Sequence, residues 1–425
     1  MVETLDEHDS SVGCAELDDL ANLASSIMQR ARKAALHPSE QKVLRKFNLS
    51  EMASLFSNEP VPLEKSELLK QADALSKSIK RNPALPQGEV SGRNRLFTLE
   101  EVHRIQRDLK KAMPWRDPAT DPAQIIAVCN YKGGVAKTTT TIHLAQYLAL
   151  RGYRCLAVDL DPQASLTQLF GVLPFLDIEQ SETILPYMEG PDLGGDAYSP
   201  TLDRYIRKSH WHNIDLIPSN TAVTGADFSL AGRIVQTPGF PFYRVLREGL
   251  LTIADNYDFV LLDTAPALSF LNSNAVFAAD SILVTLPPAT LELGSSAAFF
   301  QLTSALTQTI NSLEGVEKRW APFGILPTKH KPADVASRQI LKWMSDAFKK
   351  YLILPPIVES SVLQRLGPQY LTVYESGLKD YDGDPTAYRR ARDAFNDSFR
   401  EFELALLRRW PSKRTSLPMA VSTAA

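Results

Sequence analysis

Cysteine is scarce in this chain: Cys14, Cys129 and Cys155 are the only three in 425 residues. Their spacing forms neither a zinc pattern nor a disulfide framework. Two of them fall in apolar runs, where cysteine behaves as a small hydrophobe. A reducing compartment is the expectation. No run of about eighteen apolar residues occurs, and the acidic N-terminus lacks a signal-type stretch, which predicts a cytoplasmic chain without a membrane span. Excess charge is missing too. Lys and Arg total 46 against 49 Asp and Glu, a net of −3, so any contact with nucleic acid must come from local patches. What remains is 44% hydrophobic and 22% charged, the makeup of an ordinary globular protein with a sizeable core. The length predicts two or three domains.

The most informative run is Lys132-Gly133-Gly134-Val135-Ala136-Lys137-Thr138-Thr139. It follows Ile125–Cys129, an apolar stretch that reads as a buried strand, and precedes Thr140–Leu148, whose apolar spacing reads as a helix. Strand, glycine turn and helix together make a phosphate-binding setting. Backbone N–H groups and the helix N-terminus face the anion, glycines permit close approach, and a lysine adds charge. The ordinary pattern G-x-x-x-x-G-K-[ST] is met only at its end. Tyr131 and Ala136 stand at the glycine positions, and a second lysine, Lys132, lies five residues before Lys137. A basic glycine turn that binds nothing is the bland alternative.

Two further acidic motifs follow apolar runs. Cys155–Val158 leads into Asp159-Leu160-Asp161-Pro162-Gln163, and Phe259–Leu262 leads into Asp263-Thr264-Ala265-Pro266. Carboxylates at the C-terminal ends of parallel strands point into the crevice where open α/β sheets bind ligands. A lone Asp after a strand is more often a helix cap; three motifs in order argue otherwise. Together they resemble the deviant Walker A, Walker A′ and Walker B boxes of the ParA/MinD group of ATPases. The resemblance implies ATP or ADP with Mg²⁺ as cofactors. It places Gly133, Gly134, Val135, Ala136, Lys137, Thr138 and Thr139 around the phosphates, and Thr328 and Pro355 near the adenine. Thr138, Asp159 and Asp263 would surround the metal, and Asp161 would orient the attacking water. Lys132 would reach the nucleotide of a partner subunit. Lys132, Lys137 and Asp161 are thus the implied catalytic residues.

Along the chain, residues 15–36 read as a helix. Leu17, Leu20, Ala24, Ile27, Ala31 and Ala34 form either a coiled-coil seam for dimerisation or a face packed on its own domain. Residues 39–112 form a second unit with two capping-box signals, Asn48–Glu51 and Thr98–Glu101. Two short helices around a proline turn suggest a helix-turn-helix. Lys77, Lys80, Arg81, Arg93, Arg95, Arg104, Arg107, Lys110 and Lys111 give this unit a positive face, which solvated helices would also show. Its wording resembles the long ParA proteins of repABC plasmid cassettes. A linker at 113–122 leads to an ATPase domain at 123–410, and a disordered tail follows at 411–425.

From residue 123 onward, apolar runs at 125–129, 155–158, 214–217, 259–262, 281–286 and 322–326 alternate with helical patterns. The expectation is a doubly wound, mostly parallel α/β P-loop ATPase fold preceded by an all-α helix-turn-helix domain. Residues 177–202, rich in Gly, Pro, Asp and Ser, read as a surface insertion.

The function implied by the resemblance is plasmid or secondary-chromosome partition. An ATP-bound homodimer would bind DNA without sequence preference and associate with the nucleoid. A ParB-like partner would stimulate hydrolysis, and the N-terminal unit would repress its own operon. Lys329, Lys331, Arg338, Lys342, Lys349, Lys350, Arg389, Arg390 and Arg392 are candidates for the non-specific DNA surface. A MinD-like membrane-positioning ATPase is the alternative. It requires a C-terminal amphipathic anchor, and 412–425 offers no apolar face. An iron-protein or arsenite-pump role needs exposed cysteines, which Cys129 and Cys155 are not expected to be.

Overall fold

A computed structural model describes residues 42–57, 64–92, 94–109, 115–315, 317–378 and 380–413, with isolated positions between 19 and 30. The chain divides into two compact units, Met1–Val43 and Leu44–Ala425. In the first, the described positions from Asp19 to Arg30 are helical, and Leu20, Leu23 and Ile27 are exposed. Leu17, Ala31 and Ala34 of the expected seam lie outside the described residues.

The second unit is organised by a seven-stranded sheet. Its strands are β4 (Gln124–Cys129), β5 (Cys155–Asp159), β6 (Arg207–Lys208), β7 (Ile214–Ile217), β8 (Phe259–Asp263), β9 (Ser281–Leu286) and β10 (Phe323–Pro327), in the order β10-β9-β4-β8-β5-β7-β6. Every pairing is parallel except that of the short edge strand β6 with β7. The six expected strands are all present. Their continuous apolar runs have a simple cause: both faces of the sheet are covered, so alternate residues enter two different cores. Ile126, Val128, Ala157, Leu261 and Leu283 join one, and Ile125, Ala127, Leu156, Leu262 and Val284 join the other.

The first core receives α4 (Lys137–Leu150) and the last helix, Pro385–Leu407. Phe395, Phe399, Phe402, Leu406 and Trp410 of this C-terminal segment are all nearly inaccessible. Its amphipathic face is therefore buried against the domain. Among the described residues no helix is long and apolar enough to cross a membrane.

The expectation of an all-α N-terminal unit is corrected. Three strands, β1 (Phe47–Asn48), β2 (Glu89–Ser91) and β3 (Asn94–Phe97), form an antiparallel sheet in the order β1-β3-β2. It frames the helices α1 (Leu49–Phe56), α2 (Lys65–Arg81) and α3 (Leu99–Asp108). Both capping boxes are present: Asn48 with Glu51 opens α1, and Thr98 with Glu101 opens α3. The Pro60–Pro62 turn between α1 and α2 lies outside the described residues. Phe47, Met52, Ile79, Phe97 and Val102 belong to the same continuous core as α4 and the C-terminal helix. Arg116, in the expected linker, is buried 3.5 Å from Asp258.

Two other expectations change. Within 177–202, Ile184, Leu185 and Met188 are buried in the second core, because this apolar run packs as a helical turn (Leu185–Glu189) instead of lying on the surface. Pro411–Lys413 forms a helical turn anchored by Asp121, which accepts from the Ser412 N–H at 3.0 Å and hydroxyl at 2.5 Å. Structure thus extends into the segment expected to be disordered; residues 414–425 are outside the described set.

Candidate functional site: a phosphate loop at three strand ends

Strand order decides which motifs meet. β4 lies beside β8, and β8 lies beside β5, so the loops leaving all three open at one edge of the sheet. Register then sets the carboxylates: Asp159 pairs directly with Asp263, and Val128 with Asp263. The loop after β4 runs from Asn130 to Ala136 and delivers Lys137 as the first residue of α4. Ala136 and Gly134 both take left-handed backbone, at φ 69° and 75°. Glycine suits that conformation, whereas Ala136 adopts it against a steric penalty of about 1–2 kcal/mol.

The loop lines a cleft of about 490 Å³ with Gly133, Gly134, Ala136, Lys137, Thr138 and Thr139, facing Asp161 from the loop after β5. Lys137 is buried, and its ammonium donates to the Lys132 carbonyl at 3.0 Å. Burial lowers its pKa, while Asp263 and Asp161 act in the opposite sense. Asp263 is inaccessible, and burial pushes its carboxyl up to about 7, against hydrogen bonds from Thr138 and Thr141. The Thr141 hydroxyl lies 3.0 Å from Asp263 Oδ1, whereas among the described residues no donor meets hydrogen-bond geometry at Oδ2, with Thr138 nearby. An orphaned, buried carboxylate oxygen beside a threonine hydroxyl is the donor set a divalent cation uses in phosphate loops. These residues fit Mg²⁺.

Asp159, expected near the metal, sits beside Asp263, and its hydrogen bonds run to the loop that follows it. Oδ2 accepts from the Thr167 N–H at 2.8 Å and hydroxyl at 2.7 Å, and Oδ1 accepts from the Asp161 N–H at 3.2 Å. Its lone pairs fasten the loop that carries Asp161. Burial foremost, and the Asp263 charge after it, raise the Asp159 pKa to about 8. Asp161 in turn accepts from the Gln163 N–H at 2.9 Å, a turn that aims its carboxylate at the cleft.

Other expected residues divide. Val135 is buried, and its carbonyl accepts from the Thr328 hydroxyl at 3.1 Å, so Thr328 braces the loop from behind. Pro355 is not among the residues lining the cleft; its carbonyl accepts from Ser398 at 2.6 Å. Lys132 lies outside the cleft, 3.0 Å from Glu292. Among the proposed DNA-facing cations, Lys331 pairs with Glu359, Arg392 lies 3.3 Å from Asp393, and Lys350 sits over Tyr351. Pro266, Gly367, Tyr370 and Gln163 line the cleft without having been expected as site residues, and Lys329, an exposed candidate for the DNA surface, lines it too. Gln163 and Pro266 carried a signal, since they close the two acidic motifs, and Lys329 lies two residues past a parallel strand. Cys129 and Cys155 are buried, and desolvation raises the Cys129 thiol to about 12.

The fold and the cleft define a phosphate-loop nucleotide-binding α/β protein. Residues 123–314 match the model of an AAA domain family. The chain is 30% identical over 400 residues to "Putative replication protein A" of Rhizobium rhizogenes, covering 92% of this chain and 94% of that one. Among solved structures, cobyrinic acid a,c-diamide synthase from Mycobacterium smegmatis, with bound ATP analogue and magnesium, superposes with a TM-score of 0.52. It is 27% identical and covers 69% of this chain and 97% of its own. A structure described as "Partition Protein" shares the fold at TM-score 0.56 and 19% identity, over 84% of this chain and 94% of that one. The chain belongs to the ParA family of partition ATPases.

Proposed function

We propose that this chain is an ATP-dependent partition protein for a plasmid or secondary chromosome. The observation that carries the reading is the meeting of Lys137, Thr138, Asp161 and Asp263 at the ends of three adjacent strands. Lys137 and the N–H groups of the loop would hold the polyphosphate of ATP or ADP, with Thr139 at the start of α4. Thr138 and Asp263 would hold Mg²⁺, which when bound neutralises phosphate charge. Asp161, fixed through Asp159, would orient the attacking water. Phosphoryl transfer gains most from positioning and charge stabilisation, and this residue set supplies both.

Lys132 would complete the site of a partner subunit, so that hydrolysis requires a homodimer. The ATP-bound dimer would bind DNA through phosphates and hence without sequence preference. The N-terminal unit, with exposed Lys70, Lys77, Lys80 and Arg81 on α2, would bind the operator of its own operon. A ParB-like protein would stimulate turnover.

The test is a pair of variants. Lys137→Gln is expected to abolish productive ATP binding, and Asp161→Ala to bind ATP while turning it over about a hundredfold more slowly or worse. Turnover at the native rate in the Asp161 variant would refute the assignment.

A further inference from the structure

The cleft holds one lysine that the motifs do not supply. Lys329 follows β10, and its ammonium donates to the Gly134 carbonyl at 2.7 Å. Lys137 is held in the same way, on the Lys132 carbonyl at 3.0 Å. Two ammonium groups therefore rest on carbonyls of one phosphate loop, two residues apart, and both line one cleft. A carbonyl is a neutral acceptor. A phosphate oxygen carries a negative charge that adds direct Coulomb attraction to the ammonium, so an arriving polyphosphate would draw both cations away.

The backbone supports this aim. Lys329 has φ 52°, a left-handed conformation that long L side chains rarely adopt and that clusters at ligand sites. Its neighbours hold it there. Thr328 donates its hydroxyl to the Val135 carbonyl at 3.1 Å, and the His330 N–H donates to the Ile357 carbonyl at 3.0 Å. The His330–Ile357 bond joins the loop to the extended segment beside it, as does the bond from the Glu359 N–H to the His330 carbonyl at 2.9 Å. Among the described residues no carboxylate forms an ion pair with Lys329, whereas its near neighbour Lys331 lies 3.3 Å from Glu359.

We propose that Lys329 is a second phosphate-binding lysine, contributed in cis, that contacts the polyphosphate of the bound nucleotide alongside Lys137. The inference rests on the nucleotide-binding reading given above. It removes Lys329 from the DNA-facing surface.

The experiment titrates fluorescent ATP, ADP and AMP into the full chain and into Lys329→Ala, Lys329→Met, Lys329→Arg and Lys137→Gln. Lys329→Ala is expected to weaken ATP about tenfold, with AMP unchanged and Lys329→Arg close to native, as loss of a charge-assisted bond predicts. Lys329→Met keeps the apolar stem, so it reports the charge alone if the alanine variant folds poorly. Native ATP affinity in both Lys329→Ala and Lys329→Met, with Lys137→Gln defective, overturns the proposal and leaves the nucleotide site standing. Equal weakening of ATP, ADP and AMP also overturns it, since that is a loosened loop. Native ATP affinity in Lys137→Gln overturns the nucleotide reading and this inference with it.

Discussion

The Lys132 ammonium lies 3.0 Å from Glu292 Oε1 of its own chain, at the first turn of the helix Thr290–Glu314. A lysine proposed to act across a dimer is thus held in cis in the single chain. Exposed pairs are worth about 0–1 kcal/mol, and this one is partly exposed, so the hold is weak enough to exchange. Glu292→Gln is expected to lower the protein concentration needed for the ATP-dependent dimer by a few-fold. Sedimentation across a concentration series reads this; an unchanged midpoint would show the pair to be incidental.

Ala136 gives a stability prediction. Its φ of 69° strains the native loop, and glycine would remove the penalty at some cost in chain entropy. Ala136→Gly should stabilise the nucleotide-free protein by about 0.5–1 kcal/mol, the difference between those two terms. Ala136→Val should destabilise it. Urea unfolding of both variants checks the sign, and a glycine variant less stable than native would contradict the strain argument.

A pH dependence follows from His103 on α3. It lies 2.8 Å from His212, ring nitrogen to ring nitrogen, and burial foremost, then the His212 and Arg107 charges, lowers its pKa to about 3. Burial lowers His212 as well, with Glu100 opposing it. A depressed histidine favours the fold above its unfolded pKa near 6.5 and withdraws that contribution as pH falls below it. Stability should therefore decline from pH 6.5 downward, with His103 adding at most about 1.4 kcal/mol per pH unit. His103→Gln should flatten the slope of melting temperature between about pH 6.5 and 4.5, the window in which an ordinary histidine charges. An unaltered slope would show that other groups set it.

The operator proposal is tested on α2 with the full chain. Deleting residues 1–112 would strip Phe47, Met52, Ile79, Phe97 and Val102 from a core shared with the ATPase fold, so truncation confuses folding with binding. Lys80 and Arg81 are exposed in the last turn of α2. The double change Lys80→Glu, Arg81→Glu should cost operator affinity about tenfold or more while sparing ATP-dependent binding to random duplex. Equal loss on both DNAs would contradict two separate DNA-binding surfaces.

Local signals made much of this legible. The six apolar runs became strands because parallel strands are buried on both faces, and both capping boxes became helix starts because they satisfy orphan N–H groups over four residues. What escaped depends on partners distant in sequence. Phe47–Asn48 and Glu89–Ser91 are too short to show alternation, and exist as strands only because Asn94–Phe97 lies between them. Ile184 and Met188 sit in a polar, glycine-rich stretch, yet the second core claims them. The carboxylate of Asp159 could be placed beside Asp263 by motif order; its engagement with Thr167 could not. Lys329 reaches Gly134 from 195 positions away, a contact that no local motif encodes.

The central claim is that ATP in this cleft switches the chain into a DNA-binding state. The direct measurement is binding of the full chain to random-sequence duplex with ATP, with ADP and without nucleotide, over a salt series. Binding is expected with ATP alone, lost in Lys137→Gln, and falling with salt at a slope of about −0.9 per phosphate neutralised. Equal affinity in all three nucleotide states, or full binding by Lys137→Gln, would contradict it.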